Sequence, residues 1–294
     1  MRGGSRSIYG KWLHPSTLLC LIWAFWVRFI KPHFLVIECV PAFDHDRLFK
    51  VLGSGGLFTG FAIVCSPKSL GFPCNRPRKY MFMWLASRFT IHLEEPVASF
   101  QDLFFRKVVS TSAIFLLAAD EEVLQSRKKR MLAKKWKFLV NVGLGQDEPD
   151  NEELLDAAHR IRLHDWQEVA AKTMPPNTKS TFINLTQTTG WNKSVSPIAP
   201  TLVRGSFLWD IAAKREVIPY PEHFAILGFP VGGELVSGEW AALLPWAANS
   251  RFRMTEKQLR SLAGNGMHVG HVGSCCLFGL GCLSPKCLAA SSSQ

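Results

Sequence analysis

Gly71-Phe-Pro-Cys-Asn-Arg-Pro-Arg-Lys-Tyr80 is the most informative stretch of this chain, because it joins a Gly-x-Pro loop to the arginines Arg76 and Arg78. It follows the apolar run Phe34-Leu-Val-Ile-Glu-Cys-Val40, which carries a single carboxylate, Glu38, near its end. A carboxylate ending a buried strand and an Arg-x-Arg pair entering the next strand can hold one flat, polar ligand from two sides. The sequence therefore predicts a binding site built from these three side chains.

The residues around this stretch alternate between helix-like and strand-like patterns. The apolar runs predict strands, and the segment before the first strand predicts a buried helix that is interrupted at Lys31-Pro32. The predicted helices cover residues 16–30 and 44–51, and the predicted strands cover residues 34–40, 61–65 and 81–85. This succession predicts an α/β fold, with part of a Rossmann-like, doubly wound parallel sheet.

The apolar residues 18–27 raise the question of a membrane segment. This run has 10 residues before Arg28 and Lys31 interrupt it, whereas a bilayer crossing needs roughly 20. Arg2 and Arg6 resemble the start of a signal peptide, but no small-residue cleavage site follows. We therefore expect a buried helix and no membrane partner.

The carboxylate strand and the arginine loop, in this order, resemble the cytosine-5 DNA methyltransferases. In that family, the Glu of a Glu-Asn-Val strand end and the arginines of a Gly-x-Pro-Gln-x-Arg-x-Arg loop hold a flipped cytosine. Here the strand end reads Glu38-Cys39-Val40, and Cys74 stands where the family has Gln.

Two later segments extend the resemblance towards the end of the chain. Residues 200–204 and 215–230, ending in Gly-Phe-Pro, are similar to the segment that closes the family's target-recognition domain. Leu262-Ala-Gly-Asn-Gly-Met-His-Val269 is similar to the last family motif, a Gly-Asn loop before a helix that returns to the sheet. Three separate matches that follow the family's order over residues 34–272 are together more specific than any one of them alone. They imply a core in residues 1–100, a target-recognition-like region with a basic helix in 101–200, and the end of that region with the return to the core in 201–294.

The resemblance implies a reaction and a role for each matched residue. The family enzymes attack C6 of an extruded cytosine with a Cys thiolate and transfer a methyl group from S-adenosylmethionine to C5. By resemblance, Glu38 interacts with N3 and Arg78 with O2, whereas Arg76 positions the loop and Glu38 or contacts the backbone. Gly264 and Asn265 shape the cofactor pocket. Without the other matches, an ordinary strand-end carboxylate and a solvated basic turn explain the same residues.

Two family motifs are absent from the sequence ahead of Glu38. These are the Phe-x-Gly-x-Gly cofactor loop and the Pro-Cys nucleophile loop. Cys20 has no preceding Pro and lies in an apolar segment that disfavours its thiolate, so it is a poor nucleophile. The resemblance therefore implies a truncated or inactive copy of a DNA (cytosine-5)-methyltransferase. The alternative is a non-catalytic, nucleic-acid-binding remnant of that fold.

The net charge of +11 suits a polyanionic partner, since each neutralised phosphate releases counterions. A basic cluster lies in a predicted helix and would contact phosphates or serve as a nuclear import signal; its members are Arg127, Lys128, Lys129, Arg130, Lys134 and Lys135. The equally good alternative is a solvated helix face. DNA is the expected partner, with RNA as an alternative, and the nucleus the expected location, otherwise the cytoplasm.

The eight cysteines form no Cys-x-x-Cys pair, so they indicate a reducing compartment rather than a disulfide framework. His268, His271 and Cys275 could share one helical face and so allow a metal site. A packed terminal helix explains the same residues, and we expect no metal.

Overall fold

The computed structural model describes residues 15–117, 123, 152–178, 180–190, 195–212, 217–229, 231 and 254–286. These residues belong to two compact units. The first unit comprises Met1–Cys65, Pro77–Phe104 and Ser274–Gln294, and the second comprises Ser66–Arg76 and Phe105–Gly273. The division into ranges 1–100, 101–200 and 201–294 stays a prediction.

The described helices and strands follow one another in a mixed order. They are α1 (Pro15–Ile30), β1 (Phe34–Cys39), α2 (His45–Gly53), β2 (Phe58–Cys65), β3 (Arg78–Leu85), β4 (Phe89–Ile91), α3 (Pro96–Phe104), α4 (Ala157–Thr173), β5 (Phe182–Asn184), β6 (Leu208–Asp210), α5 (Tyr220–Ile226), α6 (Glu256–Asn265), α7 (Val269–Gly281) and β7 (Leu283–Pro285).

The sheet of the first unit has three strands in the order β1-β3-β2. The central strand β3 is antiparallel to both neighbours, so β1 and β2 run parallel to each other. Helix α2 connects these two parallel strands, with the N-cap side chain of Asp44 accepting from the Arg47 N–H at 3.3 Å. The short strands β4 and β7 pair with each other in the same unit.

This topology confirms the α/β class but corrects the prediction of a doubly wound parallel sheet. Within the described residues, the only parallel relationship in the sheet is between β1 and β2, and β3 separates them. A continuous apolar run indicates a strand that is covered on both faces, and it carries no information on strand direction. All residues of β3 from Lys79 to Leu85 are buried, which explains the pattern.

Both faces of this sheet are covered within the first unit. One face packs against α1 and α2, through a core that includes Met81, Met83, Leu48 and Leu52. On the other face, the Phe61 ring lies against the rings of Phe82 and Phe278, with centroids 5.1 and 6.2 Å away. Gly279 of α7 is needed there, since a Cβ atom would lie 2.6 Å from the Phe82 ring.

The prediction that the first helix is buried was wrong for most of its surface. In α1, Ala24 and Val27 are buried, but Leu19 is 69%, Phe25 is 69% and Phe29 is 72% exposed. The helix ends as predicted at Ile30, and Lys31 follows with φ 53°, one residue before Pro32. α1 has 16 residues, and no described helix has the length and apolar content required for a bilayer crossing.

The second unit is held by two apolar clusters and by buried polar contacts. One cluster gathers α4, β5 and β6, and the other gathers α5, α6 and the segment around Ala199. Asp210 at the end of β6 is 1% exposed, and it accepts from the Ser180 hydroxyl at 2.6 Å and the Thr181 N–H at 2.8 Å. A buried carboxylate with such donors stabilises the fold rather than a ligand.

Candidate functional site

Glu38 and Arg78 form an ion pair within the first unit. Arg78 Nε lies 2.7 Å from Glu38 Oε1, and the two side chains are 16% and 19% exposed, respectively. The register places Glu38 opposite Tyr80, so the two-residue period of β3 puts Arg78 on the same face of the sheet as Glu38. The structure thus brings together two of the three residues predicted for the base-binding site; their roles stay predictions.

The pair lies at the edge of the sheet where β1 and β2 end. Glu38 is the second-last residue of β1, and Arg78 is opposite Cys65, the last residue of β2. Both parallel strands therefore present their carboxyl ends to this edge.

The ion pair is close in distance but not aligned as a hydrogen bond. Within the described residues, Glu38 Oε1 accepts no hydrogen bond of good geometry although the Arg78 Nε atom is 2.7 Å away. Arg78 Nη1 donates to the Pro77 carbonyl at 2.8 Å. The attraction in the pair is therefore mainly between charges, and a ligand that offers aligned partners would improve on it.

Sequence reasoning missed a second cation at the same edge, Lys79. This lysine is 8% exposed, and its ammonium donates to the Phe43 carbonyl at 2.8 Å and contacts His45 Nδ1 at 2.9 Å. Since an ammonium can only donate, His45 Nδ1 accepts and Nε2 carries the ring proton. Lys79 alternates with Arg78 along β3 and so belongs to the opposite face.

Arg76 lies in the second unit and is bound to backbone carbonyls. Its side chain is buried, Nη1 donates to the Leu202 carbonyl at 2.6 Å, and Nη2 donates to the Gly264 carbonyl at 3.2 Å. The Arg76 N–H donates to Ser66 Oγ at 3.0 Å. The structure thus brings Arg76 together with Gly264, a residue predicted for a different role.

The loop before Arg76 is fixed to the segment that resembles the end of a recognition domain. The Asn75 N–H donates to the Ala199 carbonyl, and the Ala199 N–H donates to the Pro73 carbonyl, both at 2.8 Å. The Thr201 hydroxyl donates to the Asn75 carbonyl at 2.6 Å. These bonds connect the loop to residues 199–201.

Gly264 and Asn265, the two residues predicted to shape the cofactor pocket, have different surroundings. Both residues end helix α6, and a Cβ atom at Gly264 would lie 2.2 Å from the Val203 carbonyl oxygen. Gly264 is therefore packed against backbone and leaves no space for a side chain, whereas Asn265 is exposed. The cofactor-binding roles of both residues stay predictions.

Six of the seven described thiols are poor nucleophiles. Burial raises the pKa of Cys39 to about 11 and the pKa of Cys74, which follows Pro73, to about 12. A side-chain hydrogen bond with Cys65, together with burial, raises the pKa of Cys275. Burial also raises the pKa of Cys20, Cys276 and Cys282. A thiol attacks as its thiolate, and the shifts suppress that form.

Of the residues considered for a metal site, His271 and Cys275 lie on α7, and His268 precedes the helix. His268 Nδ1 accepts from the His271 N–H at 3.1 Å, so Nε2 carries the proton of a neutral ring. Burial lowers the pKa of His268 to about 4, and the neighbouring His271 and Arg76 contribute. The expectation of no metal stays a prediction.

The predicted basic cluster lies outside the described residues. Its six members are Arg127, Lys128, Lys129, Arg130, Lys134 and Lys135. Their predicted contacts with phosphate stay predictions.

Comparisons with known proteins add little. No protein-family model matches the sequence, and no curated protein matches it. Among solved structures, the methyltransferase EhMeth of Entamoeba histolytica has a TM-score of 0.43 and 14% identity, over 91% of this chain and 73% of that chain.

Proposed function

We propose that the Glu38–Arg78 pair binds the edge of an unstacked cytosine in a nucleic acid. The observation that carries this proposal is the 2.7 Å contact of the two side chains at the carboxyl end of β1. N3 and O2 of cytosine are neighbours on one ring edge, so their partners must stand side by side. A carboxyl group and a guanidinium in contact meet that requirement.

The chemistry of the pair suits a base that has left the duplex. Neither the ring edge nor the ring carbons are reachable in a stacked, paired cytosine, so recognition requires extrusion. A carboxyl group at N3 and a guanidinium at O2 neutralise the charge that develops on the ring when C6 is attacked. Both side chains are mostly buried, which strengthens their interaction with a bound base.

The resemblance extends this proposal to methyl transfer from S-adenosylmethionine to C5 of cytosine. DNA is the proposed substrate, with RNA as the alternative, and the net charge of +11 favours either. Methyl transfer needs a thiolate at C6, and the resolved pKa shifts of the described cysteines are all upward. We therefore propose base binding by an inactive copy of such an enzyme.

Base binding is tested with two short DNA duplexes that share one sequence. In one, a cytosine faces an abasic position and leaves the stack easily, and in the other every base is paired. We expect the full chain to bind the first about tenfold more tightly, the effect of one good hydrogen bond to a charged group. Fluorescence anisotropy gives both dissociation constants.

Variants identify the residues responsible for this preference. Glu38→Gln and Arg78→Gln should each abolish it, whereas Glu94→Gln, which removes an exposed carboxylate of the same unit, should preserve it. Equal affinity of the wild-type chain for the two duplexes would contradict the proposal. Transfer of tritiated methyl groups to the duplex above the Glu38→Gln background would instead show an active methyltransferase.

A further inference from the structure

The second unit contains a cavity that none of the roles above uses. It has a volume of about 110 Å³, its floor includes Trp166 and Phe182, and its rim includes Lys68, Asn75 and Gln187. At roughly 30 Å³ for each water, this is the space of three or four waters. A single pyrimidine-sized ring fits such a volume, whereas drug-sized ligands occupy about 300 Å³ or more.

The floor of the cavity carries a hydrogen-bond donor without an acceptor. Trp166 is 4% exposed, and its indole Nε1–H has no hydrogen-bond partner within the described residues. Buried N–H groups are nearly always paired in native structures, with protein, water or ligand. An acceptor atom of a ligand with a lone pair would satisfy this donor.

The rim of the cavity is also rich in donors. Lys68 is exposed and can only donate, and Asn75 Oδ1 already accepts from the Ser66 hydroxyl at 3.3 Å, which leaves the Asn75 NH₂ group as a donor. The Asn184 amide is occupied on both sides, because it donates to Ser206 Oγ at 2.9 Å and accepts from the Thr186 hydroxyl at 2.7 Å. None of the described residues lining the cavity is acidic.

We propose that this cavity binds a pyrimidine nucleoside monophosphate, with the base inside and the phosphate at Lys68. Pyrimidine carbonyl oxygens are acceptors for the Trp166 N–H and for the Asn75 NH₂ group. The aromatic floor offers the apolar contact that flat rings prefer, and an ammonium at the rim suits a phosphate. This site shares no residue with the Glu38–Arg78 pair, so it does not depend on the function proposed for that pair.

The test is calorimetric titration of the full chain with uridine monophosphate, with uridine and inorganic phosphate as separate probes. We expect saturable binding of the nucleotide that is at least about tenfold tighter than binding of phosphate, since the base adds hydrogen bonds and ring contact. Equal binding of inorganic phosphate and nucleotide, or no saturable binding of the nucleotide, would overturn the proposal.

Matched variants locate the binding. Trp166→Phe keeps a ring and removes the N–H, and Lys68→Gln removes the exposed cation, so each should weaken nucleotide binding about tenfold. Trp26→Phe, at a half-exposed position of the first unit, and Lys172→Gln, at an exposed position of α4, should leave it unchanged. Lys68→Gln changes a surface position, so it tests the cavity even if Trp166→Phe impairs folding.

One further variant separates this cavity from the other proposed site. Glu38→Gln should leave nucleotide binding intact, because Glu38 belongs to the Glu38–Arg78 pair and does not line the cavity. Binding that is lost in Glu38→Gln and retained in Lys68→Gln would assign the nucleotide to that pair and exclude the cavity.

Discussion

Arg76 and Arg78 are two positions apart, yet their surroundings differ in ways that separate a structural role from a ligand-binding one. Arg78 keeps part of its surface in solvent and faces a carboxylate, so its partner can be shared with a ligand. Arg76 is 5% exposed, and its terminal nitrogens Nη1 and Nη2 each donate to a backbone carbonyl. Carbonyls buried without a donor are costly, so Arg76 should matter chiefly for stability.

We predict that Arg76→Met lowers the free energy of unfolding by about 2–4 kcal/mol, because it leaves the Leu202 and Gly264 carbonyls without this donor. Urea denaturation followed by circular dichroism measures the change. Arg106→Met, at an exposed arginine of the same unit, should cost less than about 0.5 kcal/mol. Equal losses in the two variants would show that the buried bonds contribute nothing.

Buried imidazoles should make stability fall in acid. Burial, with a contribution from Arg260, lowers the pKa of His223 to about 3, whereas an unfolded chain has about 6.5. Below about pH 6.5, His223 binds a proton in the unfolded state but stays neutral in the folded state until the pH nears 3. The stability is therefore complete above about pH 6.5 and declines as the pH falls towards 3, by up to about 1.4 kcal/mol per pH unit.

The variant His223→Phe checks whether the loss of stability in acid comes from His223. The slope of unfolding free energy against pH, measured between about pH 6.5 and 4, should become shallower by up to about 1.4 kcal/mol per unit. His164→Gln, at an exposed histidine of α4, should keep the wild-type slope. His268, with its pKa near 4, adds a second contribution of the same sign.

The contact between Glu38 and Arg78 could be anticipated from sequence, because a carboxylate at a strand end and an arginine entering a neighbouring strand meet at one edge. The partners of Arg76 could not. They are backbone carbonyls 126 and 188 positions away, and a carbonyl has no residue-type signature. Lys79 was missed for a different reason. A charged side chain normally indicates an exposed position, but Lys79 is buried within an otherwise apolar strand.

The positions of the helices and strands were easier to predict from sequence than the relative directions of the strands. The strands β1, β2 and β3 and the helices α1 and α2 lie within a few residues of their predicted places. The antiparallel insertion of β3 between two parallel strands was not predicted, because burial on both faces gives the same apolar pattern for either direction.

Two helical glycines provide a test at this scale. Gly264→Ala should destabilise the fold by about 1–3 kcal/mol, since the new methyl group would meet the Val203 carbonyl at 2.2 Å. Gly273 lies in α7 with nothing within 4 Å of a new Cβ atom, so Gly273→Ala should stabilise by about 0.5–1 kcal/mol. Thermal denaturation of both variants gives the signs, and a loss at both positions would contradict the packing described for α7.

At the scale of the whole molecule, the apolar surface of α1 stands out. Leu19, Phe25 and Phe29 are each more than two-thirds exposed, on a helix whose buried positions include Ala24 and Val27. Contiguous exposed apolar surface promotes association. The protein should therefore aggregate or associate through α1 when it is produced alone.

We predict that the triple substitution Leu19→Glu, Phe25→Glu and Phe29→Glu raises the soluble fraction of the chain and leaves its melting temperature unchanged within a few degrees. Acidic residues improve solubility most, and these positions contribute little to the core. Centrifugation, size-exclusion chromatography and a thermal melt provide the measurements. Ala24→Glu, at a position with 0% exposure, should unfold the first unit, because it buries an unpaired charge. A triple variant that melts as early as Ala24→Glu would show that the exposed face of α1 is part of the folded core.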